Sequence, residues 1–185
     1  EEPIEQMPGW MADAQDLVIG EGISLHQGAN YFRINVTEPG VYQVKNFDNI
    51  SLQMYDEATQ NFNYVELLVL QEVGEYYLQV SSYVESNTFQ VNKAEVTEIS
   101  AGSVYEKEAS FQKLDTIKPQ ETGKYSIQLS SDEEASLHGY LRVFDINGQC
   151  IMGSDYWGGM QKIMVKLDSG MTYYLEMRVS DMSIP

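Results

Sequence analysis

The chain states one pattern twice, and that repetition constrains its architecture more than any motif does. Residues 31–80 carry YFRINVTEPGVYQV, then ISLQMYD, then VGEYYLQV. Residues 110–179 carry SFQKLDTIKPQETGKYSIQL, then YLRVFDINGQ, then SGMTYYLEMRV. Three anchors align the copies: Gly40-Val41-Tyr42 with Gly123-Lys124-Tyr125, Met54-Tyr55-Asp56 with Val143-Phe144-Asp145, and Tyr76-Tyr77-Leu78 with Tyr173-Tyr174-Leu175. The spacing between matched anchors grows along the chain, so the second copy has longer loops on the same strands. Loops tolerate insertion where paired strands do not. Solenoid and propeller repeats run roughly 20–50 residues, shorter than this unit. The repeat therefore predicts two tandem domains, 1–92 with the N-terminal segment and 93–185.

Alternation assigns the strands and their faces. Phe32, Ile34 and Val36 alternate with Tyr31, Arg33 and Asn35, and Glu38-Pro39-Gly40 then supplies a turn. Beyond it Tyr42 and Val44 face one side, as do Tyr125, Ile127 and Leu129 in the second copy. The tyrosine two residues after the glycine thus points inward in both. Leu52 and Met54 match Leu141 and Val143; Tyr76, Leu78 and Val80 match Tyr173, Leu175 and Met177. Tyr55, Tyr77, Arg142, Phe144, Tyr174 and Glu176 fall on the opposite, outward side. Asn147-Gly148 marks a hairpin after Phe144, while the first copy, with Asp56-Glu57-Ala58-Thr59-Gln60, must turn differently. Phe111, Leu114 and Ile117 do not alternate, which reads as a bulge or an alignment slip. The junction is expected within 87–110, and Met11–Asp16 is read as a short helical turn. Short antiparallel strands at this spacing define an all-β fold of two tandem jelly-roll-like antiparallel β-sandwich domains.

These anchors resemble bacterial pre-peptidase C-terminal (PPC) domains and their relatives. The resemblance rests on Gly40-Val41-Tyr42, Tyr55-Asp56 and Gly74-Glu75-Tyr76-Tyr77-Leu78 in the first copy. In the second it rests on Gly123-Lys124-Tyr125, Phe144-Asp145-Ile146-Asn147-Gly148 and Gly170-Met171-Thr172-Tyr173-Tyr174-Leu175. It implies export from a bacterium, to the medium or the cell surface, and a non-catalytic accessory role. It also leaves room for calcium, which some relatives bind. Within these 185 residues no peptidase domain is expected beside the repeats.

Charge narrows the partners. A formal net charge of −17 repels phosphate backbones and anionic membrane surfaces, so nucleic acid is not expected, and no hydrophobic run is long enough to span a bilayer, so neither is membrane insertion. An extracellular protein or a glycan fits better. The catalytic inventory is thin: His26 and His138 are the only histidines and do not occupy matching positions. No nucleophile elbow, zinc helix or phosphate-binding glycine loop occurs. A single cysteine, Cys150, allows no intrachain disulfide and reads as a small packed residue. Asp132-Glu133-Glu134 reads as a solvated charge run. Asp145-Ile146-Asn147-Gly148 opens like a calcium loop but lacks the closing glutamate, so the hairpin reading wins. The most suggestive stretch is Ser154-Asp155-Tyr156-Trp157-Gly158-Gly159. Here Tyr156 and Trp157 could stack on a sugar ring while Asp155 accepts its hydroxyls, or the rings could cap the core. Asn61-Phe62-Asn63-Tyr64 stands in about the same place in the first copy, and Trp10 is a further exposed-aromatic candidate or a pin for the N-terminal segment.

Overall fold

The computed structural model describes residues 8–45, 49–104, 113–130, 137–157 and 160–181, with backbone alone at 113, 130, 137–139, 155–157, 160–161 and 178–181. The chain divides into two compact units, Glu1–Ala94 and Glu95–Pro185. Both are built almost wholly of β-strands, and each is a β-sandwich.

The first unit holds α1 (Gly9–Ala12), β1 (Gln15–Leu17), β2 (Gly22–Leu25), β3 (Gly28–Val36), β4 (Gly40–Lys45), β5 (Ile50–Asp56), β6 (Asn61–Tyr64), β7 (Leu68–Leu70), β8 (Gly74–Ser82) and β9 (Asn87–Lys93). One sheet runs β1-β3-β8-β5-β6 and the facing sheet β2-β9-β4-β7. Between them lie Phe32, Ile34, Val36, Tyr42, Leu52, Leu68, Leu70, Leu78, Val80, Phe89 and Val91, with Phe32 and Phe89 stacked across the layers at 5.8 Å. Period-two alternation puts each of these on its strand's inner face, where burial removes apolar surface from water.

The second unit holds β10 (Val96–Ile99), β11 (Lys113–Ile117), β12 (Gly123–Ser130), β13 (Leu137–Phe144), β14 (Cys150–Trp157), β15 (Met160–Leu167) and β16 (Tyr173–Asp181). Its large sheet runs β10-β11-β16-β13-β14, strand for strand the order of the first unit's large sheet. The second sheet is β12-β15, which matches β4-β7; no counterpart of β2 or β9 occurs among the described residues. Its core comprises Ile117, Leu141, Val143, Ile163, Val165, Leu167, Tyr173 and Leu175.

Tyrosines lock the same corner in both units. The Tyr42 hydroxyl donates to Glu38 O at 2.5 Å, and the Tyr125 hydroxyl to Glu121 O at 2.6 Å. Each phenol leaves the core edge to satisfy the carbonyl of the turn four residues back. The Asn147-Gly148 hairpin closes with Gly148 at φ 77°, and the Asp145 carboxylate accepts from the backbone N–H of Asn147 and Gln149 at 2.9 Å. In the first unit Gln60 takes the positive φ, and Asp56 accepts from Ala58 N and the Thr59 hydroxyl.

Several expectations are corrected. Neither sandwich is purely antiparallel: β1 pairs parallel to β3, and β10 parallel to β11. The helix spans Gly9–Ala12, and Gln15–Leu17 is a strand. The division after Ala94 falls within the expected 87–110, but residues 87–93 ahead of it form β9 at the heart of the first unit's second sheet. The break in alternation near Leu114 is neither a bulge nor a slip within the described residues: the register is unbroken and Leu114, opposite Glu176, lies on the outward face. Ile117 pairs with Tyr173 as Ile34 does with Tyr76, and Asp115 pairs with Leu175 as Phe32 does with Leu78. Asp115 therefore stands in the place of Phe32; Phe111 lies outside the described residues. Cys150 is exposed, because it begins an edge strand with no neighbour beyond it in the sheet.

Candidate functional site

Three of the outward residues expected to face water are buried: Tyr77, Phe144 and Glu176. In the first unit the cause is Trp10. It lies 5.6 Å from Tyr31, 4.9 Å from Tyr55, 4.8 Å from Phe62 and 5.5 Å from Tyr77, ring centre to ring centre. Phe62 also meets Tyr31 at 5.8 Å and Tyr55 at 5.3 Å. Only Tyr77 of the five is fully covered; Trp10, Tyr31, Tyr55 and Phe62 each keep part of their surface in solvent. Strand geometry assembles the cluster. Outward positions on β3, β8, β5 and β6 come level across the sheet, with Arg33 opposite Tyr77 and Tyr55 opposite Phe62. Helix α1, with no buried residue of its own, brings Trp10 down on them.

A polar network rims this aromatic platform. Arg33 Nε donates to Asp16 Oδ1 at 2.7 Å, and the guanidinium lies 3.7 Å from Glu75. The Tyr77 hydroxyl donates to Glu75 Oε1 at 2.5 Å. That bond to a carboxylate, with burial, raises the Tyr77 phenol above its ordinary value. The bond to Asp16, followed by its charge, strengthens protonation of Arg33. Asp16, Ile19, Arg33, Asn35 and Glu75 line a shallow cleft at this rim. Ring faces within a polar border can stack on flat apolar surfaces and offer both donors and acceptors to hydroxyls.

The sequence-derived candidates fall elsewhere. Asp155, Tyr156 and Trp157 form the end of edge strand β14, opposite Tyr140, Gly139 and His138 of β13, instead of lying in a loop. Their side chains, and Gly158-Gly159, are outside the described residues. Asn61-Phe62-Asn63-Tyr64 occupies the equivalent edge strand, but register equates it with the start of β14: Phe62 faces Tyr55 as Cys150 faces Phe144. Tyr156 and Trp157 extend beyond any counterpart in β6. His138 and Cys150 stand at opposite ends of the same hairpin, roughly 20 Å apart along the strands, so they form no thiol–imidazole pair. His26 is exposed, and its backbone is held by the Asn30 side chain at 3.0 and 2.9 Å. Asp132-Glu133-Glu134 lies outside the described residues. Among the described residues no three His, Cys, Asp or Glu side chains gather as a metal site, and no helix is long and apolar enough to cross a membrane. The platform was foreshadowed by outward tyrosines at 31, 55 and 77; what joins them is the sheet, which no local pattern displays.

Neither the family models nor the curated proteins include a match to this sequence. Among solved structures, the crystal structure of Lac15 from a marine microbial metagenome aligns at 6% identity with a TM-score of 0.26. That alignment covers 89% of this chain and 52% of that one.

Proposed function

We propose that this chain is a non-catalytic binding and structural module, secreted or displayed at a bacterial cell surface, built from two related β-sandwiches. The observation that supports this reading is the platform of Trp10, Tyr31, Tyr55 and Phe62. It is a contiguous, partly exposed aromatic surface on one sheet, rimmed by Arg33, Asp16 and Glu75. Scattered exposed apolar side chains are ordinary on protein surfaces, whereas contiguous ones mark contact sites. The resemblance to PPC-like domains points the same way, toward adhesion, spacing or substrate targeting, with an extracellular protein or glycan as partner. A glycan array probed with the intact chain and with Tyr55→Ala tests it: retention of a glycan that falls at least about ten-fold in the variant supports the platform. Equal retention by both chains removes the platform from the reading. Trp157→Ala, assayed alongside, tests the alternative that Asp155, Tyr156 and Trp157 of β14 hold the sugar. Calcium enters as a stabiliser at most, and an unchanged melting temperature on chelation would dismiss it.

A further inference from the structure

The outward face of the first unit's large sheet continues past the aromatic platform. One step further along the strands, Tyr31 of β3 stands opposite Gln79 of β8, Gln79 opposite Gln53 of β5, and Gln53 opposite Tyr64 of β6. Four neighbouring strands thus carry phenol, amide, amide and phenol at one level. Tyr31, Gln79 and Gln53 are half-buried, and Tyr64 is 66% exposed. The level beyond is low: Ala29 stands opposite Ser81, and Ser81 opposite Ser51. The row therefore forms a step, with the rings around Trp10 on one side and small side chains on the other.

None of these side chains is charged, in a chain with 11 Lys and Arg against 28 Asp and Glu. The row nonetheless keeps hydrogen-bonding capacity. Gln79 Nε2 donates to Ser81 Oγ at 3.4 Å, while the Gln53 amide and the Tyr31 and Tyr64 hydroxyls have no hydrogen-bond partner among the described residues. An amide offers donors and an acceptor, and a phenol offers one of each kind. The fold does not require such a row. In the second unit the same register positions hold Leu114, Glu176, Arg142 and Gly153. There Glu176 is buried, and Arg142 lies 4.3 Å from the centre of the Tyr140 ring.

We propose that the Tyr31–Gln79–Gln53–Tyr64 row binds an uncharged polysaccharide lying across the strands. The phenol rings stack on sugar faces, and the two amides between them exchange hydrogen bonds with hydroxyls. Adjacent strands lie about 4.8 Å apart, so the backbones of Tyr31 and Tyr64 are separated by about 14 Å, the length of roughly three linked pyranose rings. A charged polymer would have to give up hydration beside groups that return no opposite charge, which selects a neutral one. This inference rests on the platform reading above and extends it: the platform supplies stacking surface, and the row sets the class and direction of the ligand.

The probes are hydroxyethylcellulose, arabinoxylan and galactomannan, each cast into a native gel through which the intact chain and its variants migrate. At least one of them retards the wild-type chain. The double variant Gln53→Ala with Tyr64→Ala, checked for an unchanged melting temperature, binds that polymer at least about ten-fold more weakly. A hexasaccharide of the same polymer binds at least about ten-fold tighter than its disaccharide. The proposal is overturned if none of the three polymers retards the chain, if the double variant is retarded like wild type, or if the two oligosaccharides bind alike. Retardation that Tyr55→Ala abolishes and the double variant keeps would leave the platform standing and remove the row. Retention of charged glycans alone on the glycan array would do the same.

Discussion

Trp10→Ala isolates the contribution of a single side chain to the first unit. Trp10 touches four rings at 4.8–5.6 Å, and its helix buries nothing else. Aromatic pairs contribute roughly 0.5–1.5 kcal/mol each beyond area burial; the lower value suits a half-exposed ring, giving a loss of about 2 kcal/mol. A unit of this size shifts its melting point by about 4–8 °C per kcal/mol, so its transition should fall by about 8–16 °C. Differential scanning calorimetry resolves this if the second unit, which contains none of the four partner rings, melts unchanged. Trp10→Phe should recover part of the loss. In a Trp157→Phe background, Trp10 fluorescence should be shielded from acrylamide relative to free indole. A transition displaced by less than about 2 °C, or quenching equal to that of free indole, would refute the reasoning, because the ring would then not be held on the sheet.

Further outcomes follow from the same geometry. Tyr42→Phe and Tyr125→Phe each remove a hydroxyl–carbonyl bond worth about 1 kcal/mol, with the larger effect at the buried Tyr42, as denaturant midpoints will report. Gly148→Ala forces a Cβ into a left-handed turn position at φ 77° and should cost the second unit about 1–2 kcal/mol by the same measurement. Lys93, through its hydrogen bond and then its charge, holds the Glu38 carboxyl below its ordinary value of 4.5. A lowered acid contributes stability above that value and loses it as pH falls through the folded one, so Lys93→Met should flatten this part of the acid limb of a stability profile. For Tyr77 the sign reverses. Its raised phenol contributes below its ordinary value of 10.0 and loses that contribution as pH rises through the folded value; Glu75→Gln should shift its ultraviolet titration downward.

The duplicated sandwich was legible because inward positions carry large apolar residues at a spacing of two, as Phe32, Ile34 and Val36 do, and because Gly-x-Tyr recurs where a corner needs a phenol. What escaped depends on tertiary pairing. Strands β1 and β10 are three and four residues long and too short to show alternation; they exist because β3 and β11 offer an edge. Strand β9 has only Phe89 and Val91 among polar neighbours, and its central place between β2 and β4 comes from the pairing. Asp115 in the position of Phe32 cannot be foreseen from alternation, which treats a carboxylate as outward. The platform likewise joins residues 10, 31, 55, 62 and 77, which only the sheet brings level. The stretch ending in Tyr156 and Trp157 looked like a loop because of its glycines, yet pairing with β13 extends it as strand.

The parallel attachment of β1 to β3 sets how the first unit answers mechanical load. Tension applied ahead of α1 first peels Trp10 from its rings, a local release that leaves both sheets whole. The next element in its path is β1, held to β3 by the three parallel register pairs Gln15–Phe32, Asp16–Arg33 and Leu17–Ile34. The same parallel attachment recurs at the start of the second unit, where β10 lies on β11.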